Sequence, residues 1–345
     1  MKTVDDILHA LSAIRREMGM ERGEPTITRV VEEPGRLHII VDGRSDKSLC
    51  LGPGGRVAAE LAKRLNMVVS VHSEDELLLR RRRLDRTLVR VALLREQGDR
   101  TQRAFLDTLV RAIEAERGYP ESDWRAVKTC ATDETSVALA FSGGVDSTAS
   151  LALLRGWGIR VTAVFVNLGH GVLEQTLTRR ANETARHLGA EWVEIHVDEM
   201  YHEIVQRALV GRIHPCGQCH GQILHNVRMW ASQTRESVLV TGELLPTGTH
   251  AVSLQEGMLV VHLPAALALS KHRTRAIAEP IHGVFKTSFG CLLLREVHRQ
   301  GWRMIAPSVF RVLRELEAGA LSTGMALRMI RDIVRPTLRS GGEEE

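Results

Sequence analysis

The chain has 345 residues, 43% hydrophobic and 26% charged, with a net charge of +4 and a pI near 8.9. That composition predicts a soluble globular protein of about two domains, whose mild basic bias permits a polyanionic partner without demanding one. No apolar run reaches the ~18–20 residues that span a bilayer, so no membrane partner is expected, and aromatics at 4% argue against extensive base-stacking platforms.

The opening MKTVDDILHALSAIRREMG starts acidic and is amphipathic, which predicts a helix over about 3–19 rather than a secretory signal. Alternation predicts strands at TITRVVEE (26–33) and RLHIIVDG (36–43). A short helix SDKSLCL, a glycine turn GPGG (52–55), a helix RVAAELAKRLN and a strand MVVSVHS follow. The order is α-β-β-α-α-β. An arginine-rich helical stretch over 74–117 breaks near Gly98, and GYPESDW (118–124) reads as a domain boundary. Within that stretch Arg80–Arg83 form a basic run, either an extension of a phosphate-binding surface or a solvated helix face.

From about 136 the rhythm changes. SVALAF is a buried strand, STASLALLRGWG a helix, RVTAVFVNLG a second strand, LEQTLTRRANETARHLG a helix and EWVEIHVD a third strand. This β-α-β-α-β alternation predicts an α/β domain, a doubly wound parallel sheet with helices on both faces. ESVLVTGE supplies a further strand, the remainder over about 265–335 is mostly helical, and no internal repeat is present.

Ser142-Gly143-Gly144-Val145-Asp146-Ser147 follows the first of these strands and opens a helix. Bare glycines let backbone N–H groups close on phosphate oxygens, and the helix N-terminus adds a favourable dipole. An Asp beside polyphosphate makes sense with Mg²⁺ between them. The alternative is a small-residue turn with no ligand.

This hexapeptide in its strand-loop-helix setting resembles the pyrophosphate loop of the PP-loop ATP pyrophosphatase superfamily. Its members cleave ATP between the α and β phosphates and transfer AMP to an oxygen of the substrate. The resemblance covers about 136–300. It implies that Ser142–Ser147 hold the β and γ phosphates of ATP, with Asp146 facing Mg²⁺. The backbone at Val166, in VFVNLGHG, would hold adenine, and Thr241-Gly242-Glu243 would line the nucleotide. Lys271, in LPAALALSKHRTRAIA, would neutralise phosphate charge; a solvated lysine at a helix start is its bland alternative.

There are five cysteines, too few and too irregularly placed for a disulfide framework, and a reducing cytoplasm is expected. HPCGQCHGQ places Cys216 and Cys219 two residues apart in a turn, flanked by His214 and His220, and Cys291 lies later, after a glycine. The count and order are similar to those of the PP-loop branch that thiolates tRNA, in which three cysteines hold a [4Fe–4S] cluster or handle a persulfide. Three readings stand: such a cluster on Cys216, Cys219 and Cys291; a structural Zn²⁺ completed by His214 or His220; a metal-free disulfide or persulfide relay. Cys50 and Cys130 read as ordinary thiols.

The N-terminal order and its Gly52-Pro53-Gly54-Gly55 loop resemble a type II KH domain, in which a G-x-x-G loop lets a nucleic-acid backbone pass close to the protein. Here Pro53 stands where a basic residue is common, leaving Arg56 just outside the loop. The other reading is a KH-like fold used for packing or protein contact.

The resulting expectation is a KH-like RNA-binding domain (1–73), a helical linker (74–124), a PP-loop catalytic domain (125–305), and C-terminal helices with an acidic tail (306–345). The function implied is a cytoplasmic tRNA sulfurtransferase that adenylates a base carbonyl, with tRNA or another RNA and a sulfur donor as partners and a homodimer as a further option. The alternatives are a PP-loop ligase or amidase acting on a small molecule, and a non-catalytic ATP- or AMP-binding RNA-binding protein. Arg311, Arg314, Arg328 and Arg331 in the last helices either touch RNA or pack.

Overall fold

In a computed structural model, which describes residues 2–20, 23–121, 127, 135–169, 175–197, 199–282 and 290–340, the first helix begins where the sequence supplies a cap. The Thr3 hydroxyl accepts the Asp6 N–H at 3.2 Å, and the Asp6 carboxylate accepts the Thr3 N–H at 2.8 Å. This reciprocal pair satisfies two amides that a bare helix end would leave unbonded. Helix α1 (Val4–Glu17) then buries Ile7, Leu11 and Ile14, spaced on one face.

These residues meet the inner face of a three-stranded sheet. Strand β1 (Ile27–Glu33) is antiparallel to β2 (Arg36–Val41), and β2 is parallel to β3 (Val68–Ser73). A parallel pair needs a crossover connection, and α2 (Arg44–Leu51), a 3-10 turn (Pro53–Gly55) and α3 (Arg56–Leu65) provide it. Leu37, Ile39, Val41, Val57 and Leu61 complete this core, each side chain contributing about 1.5–3 kcal/mol by leaving water. Gly52 at the turn has φ +66°, and a Cβ there would lie 2.4 Å from Val57 Cγ2, so the turn requires glycine.

The sheet's other face is also covered. His38 Nδ1 lies 3.0 Å from His72 Nε2, Tyr119 meets both rings edge-on, and the Arg80 guanidinium sits 4.7 Å above the Tyr119 ring while paired with Glu116. Arg80 is therefore engaged inside the fold, whereas Arg82 of the basic run 80–83 is exposed. The chain forms two compact units, Met1–Arg86 with Glu114–Trp124, and Thr87–Ile113 with Arg125–Glu345. They divide the long helices α4 (Glu74–Gln97) and α5 (Arg100–Arg117) between them. The helical break at Gly98 is where the sequence places it.

The second unit is an α/β fold on a six-stranded sheet. In chain order it contains β4 (Ser136–Ala140), α6 (Val145–Gly156), β5 (Arg160–Asn167), α7 (Gln175–His187), β6 (Glu191–His196), α8 (Glu199–Leu209) and α9 (Cys216–Gln233). These are followed by β7 (Val238–Thr241), β8 (Val252–Gln255), β9 (Met258–His262), α10 (Leu263–Ala266), α11 (Lys271–His282), α12 (Leu292–His298), α13 (Trp302–Glu317) and α14 (Thr323–Ser340). The sheet order is β6-β5-β4-β7-β9-β8, parallel except for the antiparallel edge strand β8. Alternate residues of a strand point to opposite faces. Both Ala138, Val164 and Leu239 on one face and Val137, Ala163 and Val240 on the other are buried, so the sheet is covered on both sides.

The β8–β9 hairpin and helices α8 and α9 are absent from the sequence reading, which also put Cys216 and Cys219 in a turn; they occupy the first turn of α9. No helix among the described residues is long and apolar enough to cross a membrane. Cys130, His170, Gly171 and the acidic tail 343–345 lie outside the described residues.

Candidate functional site

The strands β4, β5 and β6 run outward to one side, and β7 lies on the other side of β4. The connections therefore reverse between β4 and β7, the switch point at which open α/β sheets bind ligands, in the crevice outside the carboxyl ends of the strands. Both segments singled out for the nucleotide leave the sheet at this crevice: Ser142–Ser147 after β4 and Thr241–Glu243 after β7.

The β4 loop is held by its own serines. Ser147 Oγ accepts the Ser142 N–H at 3.3 Å, lies 3.1 Å from Ser142 Oγ and donates to the Gly144 carbonyl at 3.1 Å. Gly143 has φ +69°, and a Cβ on it would lie 2.8 Å from Ala181 Cβ. Gly144 caps α6 without any side-chain bond to the first amides, and Ser142 is exposed while Gly143 to Asp146 are partly so. A helix start lacking a side-chain cap, on an open glycine loop, suits an anion. Gly242 presses on the same place, since a Cβ there would sit 2.7 Å from the Ser147 N.

Asp146 and Lys271 come together across 125 positions of chain, with Lys271 Nζ 2.6 Å from Asp146 Oδ2. The other carboxylate oxygen, Oδ1, accepts the Thr274 hydroxyl at 2.7 Å. Thr274 is fully buried and was not anticipated; its place one turn after Lys271 on α11 is the only signal the sequence offers. Val166 lies one residue before the end of β5, with its side chain in the core and its backbone at the sheet's carboxyl edge.

A second polar group fills the β7 side. Thr241 and His262 are partners across β7 and β9, with Thr241 Oγ1 2.7 Å from His262 Nδ1. Glu243 bridges two histidines, its Oε2 2.6 Å from His262 Nδ1 and its Oε1 2.7 Å from His220 Nε2. Burial alone would push the Glu243 carboxyl up. Hydrogen bonds from His220 and His262 outweigh it and hold the carboxyl well below the usual carboxylate range, so Glu243 stays ionised. His220 follows Cys219, and this bond therefore ties the first turn of α9 to the loop after β7.

Two of the three cysteines share one small core, and Cys216 is close enough to feel both. Cys219 and Cys291 pack against Tyr201, Leu293, Val297 and Met304, and the Tyr201 hydroxyl lies 3.4 Å from Cys219 Sγ. Burial pushes the Cys216 thiol up to about 11 against the pull of Arg311, and raises Cys219 likewise. Burial, then the bond to Cys219 and the charges of all three cysteines, also raises the Tyr201 phenol, which places it within electrostatic reach of the whole set. Gly290, with φ +83° and Leu294 Cδ2 2.8 Å from an added Cβ, sets the turn that presents Cys291. Cys50 is fully buried in the other unit.

Thiolates are the donors that hold iron–sulfur clusters, and a zinc site would add a histidine to them. Among the described residues no group of three or more His, Cys, Asp or Glu side chains is arranged to hold a metal ion, which bears on the cluster and the zinc readings alike. His214, the other proposed zinc ligand, turns instead to Ser308 at 3.1 Å. In the N-terminal unit, Gly52-Pro53-Gly54-Gly55 and Arg56 form a solvent-facing turn at the start of α3, beside a groove of about 810 Å³ lined by Arg15, Met20, Leu49 and Pro53.

No family model matches the chain. It is 25% identical over 236 residues to MJ1638, an uncharacterised protein of Methanocaldococcus jannaschii, covering 67% of this chain and 84% of that one. Among solved structures, the U34-tRNA thiolase NcsA from Methanococcus maripaludis with its [4Fe-4S] cluster aligns with 71% of this chain and 81% of its own. The identity is 13% and the TM-score 0.36, a likeness too slight to carry an argument about this chain.

Proposed function

We propose that the chain is an ATP-dependent RNA-modifying enzyme of the PP-loop type, a tRNA sulfurtransferase that adenylates a base carbonyl and replaces its oxygen with sulfur. The supporting observation is the Glu243–His220 bond at 2.7 Å, because it links the helix turn that carries Cys216 and Cys219 to the loop after β7, whose Gly242 packs on Ser147 of the glycine loop.

The chain's own residues divide the work. The amides and hydroxyls of Ser142–Ser147 receive the triphosphate, and Asp146 takes the Mg²⁺ that accompanies ATP. Lys271 then exchanges its carboxylate partner for phosphate, and the backbone at Val166 and Thr241–Gly242 flanks the nucleoside. The base oxygen forms a bond to the α-phosphorus as the bond to the β-phosphate oxygen breaks, and pyrophosphate leaves with charge stabilised by loop, lysine and magnesium. Sulfur next adds to the activated carbon and AMP departs with the former carbonyl oxygen. Cys216, Cys219 and Cys291 would hold a [4Fe–4S] cluster, which supplies an iron without a protein ligand where sulfide can be carried. Tyr201 and the surrounding apolar core limit water at the thiols. The Gly52–Arg56 turn of the N-terminal unit, read as KH-like, grips RNA. A sulfur donor and a cytoplasmic setting complete the reading.

The test is pyrophosphate release and thiolated-base formation with a tRNA pool, under anaerobic conditions, with iron content and absorption spectrum recorded on the same sample. Cys→Ala changes at 216, 219 and 291 are expected to abolish thiolation while leaving ATP binding intact. Thiolation that survives all three changes refutes the sulfur role, and a protein that binds no ATP in the presence of Mg²⁺ refutes the whole reading.

A further inference from the structure

Helix α13 has two unlike sides. Met304, Ile305, Ser308, Val312 and Glu315 are buried, whereas Trp302, Phe310 and Leu313 are 64%, 68% and 46% exposed, with Arg303 and Arg311 exposed beside them. At 3.6 residues per turn, Arg303, Phe310 and Arg314 fall on one stripe and Trp302 and Leu313 on the next, while Arg311 sits at the edge bordering the buried side.

The buried side is fixed next to the cysteines. Ser308 Oγ lies 3.1 Å from His214 Nε2, two residues before Cys216, and 2.9 Å from His298 Nε2. One turn on, Arg311 is bonded to Glu315 at 3.0 Å and is close enough to feel both Cys216 and Glu243. Further along, Arg314 borders a cavity of about 380 Å³ with Leu245, Pro246, Thr247, Gly248 and Glu317, in the loop that follows Glu243. Arg314 Nε is buried there with no hydrogen-bond partner. A buried N–H donor without an acceptor is costly, and the adjacent space can admit one. Residues 290–340 carry nine arginines against four acidic residues.

We propose that α13 is the docking helix for a single-stranded segment of the RNA substrate. One base stacks on Phe310, phosphates lie on Arg303 and Arg314, and the strand leads past Arg311 into the crevice between Glu243 and Cys216. This rests on the RNA-modifying reading above and deepens it. An aromatic ring flanked on its own stripe by two guanidiniums suits a base with its flanking phosphates. A two-fold contact between copies would instead bring those arginines toward their own equivalents.

The experiment is fluorescence titration of the full-length protein with a labelled single-stranded RNA oligonucleotide and with a tRNA pool, over a series of salt concentrations. Phe310→Ala is expected to weaken binding by about ten-fold at every salt concentration, within the range for loss of one stacked base, and Phe310→Trp to retain it. Arg303→Gln is expected to flatten the dependence of log K on log salt by about 0.7, one phosphate contact with a single strand. If the wild-type protein binds RNA and both Phe310→Ala and Arg303→Gln bind it equally well, the inference about α13 is overturned while the functional reading stands. If the wild-type protein binds no RNA, that reading falls first. A concentration-dependent dimer, abolished by Phe310→Ala with RNA binding unchanged, would assign this face to a second copy of the chain and overturn the inference.

Discussion

Gly242→Ala tests whether the β4–β7 crevice is the nucleotide site. The added methyl would meet Ser147 N at 2.7 Å, Ser147 Cα at 2.9 Å and Asp146 C at 3.0 Å, all backbone atoms of the first turn of α6. The nearest approach falls about 0.7 Å inside the 3.4 Å where ordinary contact begins. No flexible side chain can give way, so β7 and the start of α6 must part by several tenths of an ångström. Overpacking of this kind costs about 1–3 kcal/mol. The atoms displaced are the amides assigned to phosphate, so ATP affinity is expected to fall by about ten-fold or more, since misplacements near 1 Å have effects of about a hundred-fold on positioned groups. Calorimetric titration with ATP and Mg²⁺, paired with thermal melts, reads both effects. Gly221→Ala is the control: Gly221 is exposed within α9, and nothing lies within 4 Å of an added Cβ. That change should stabilise by about 0.8–1 kcal/mol and raise Tm by about 2–4 °C. A Gly242→Ala protein that melts earlier yet binds ATP like the wild type would refute the assignment of the crevice.

Thr274→Val removes the hydroxyl that reaches Asp146 at 2.7 Å while keeping the shape of a fully buried side chain. It should lower stability by about 1.5–3 kcal/mol, the range for a hydrogen bond to a charged group, whereas Thr274→Ser should recover most of it, as denaturant melts would show. Burial, then the charge of His214, depresses His298 to about 4. Its neutral form is therefore favoured by folding, and the stability it gives is present above pH ~6.5 and lost as pH falls toward 4, about 3 kcal/mol in all; unfolding curves in that window should flatten in His298→Asn. Glu256 and Gly257 join β8 to β9 with φ +52° and +80°, so Glu256→Asn, better suited to two positive φ values, should raise Tm, and a lower Tm would contradict the turn assignment.

Local signals made the N-terminal unit and the first half of the sheet legible in sequence. Thr3 with Asp6 caps α1, Gly52 to Gly55 punctuate α2 and α3, and β4, β5 and β6 are short apolar runs alternating with amphipathic helices. The β8–β9 hairpin was hidden because Glu256 occupies the turn position where Asn or Asp is the usual sign. Helix α9 was missed because two cysteines and two glycines near its start read as a turn; Pro215 before it and the Cys219 N–H bonded to the Pro215 carbonyl at 2.9 Å begin the helix nonetheless.

The site divides along the same line. The residues named for phosphate and for sulfur form recognisable words in the sequence, SGGVDS and C-x-x-C, and each stands where a strand or helix terminus presents it. What joins them does not form a word. Glu243 reaches His220 across 23 positions and His262 across 19, and Lys271 reaches Asp146 across 125; only the strand order, with β7 beside β4 and β9 beside β7, brings them close. Because Glu243 is charged, half-buried and held from two sides, changing it should alter the β4–β7 crevice and the first turn of α9 together. Such joint sensitivity is what a single reaction using both ATP and sulfur requires, and two independent sites on one sheet would not display it.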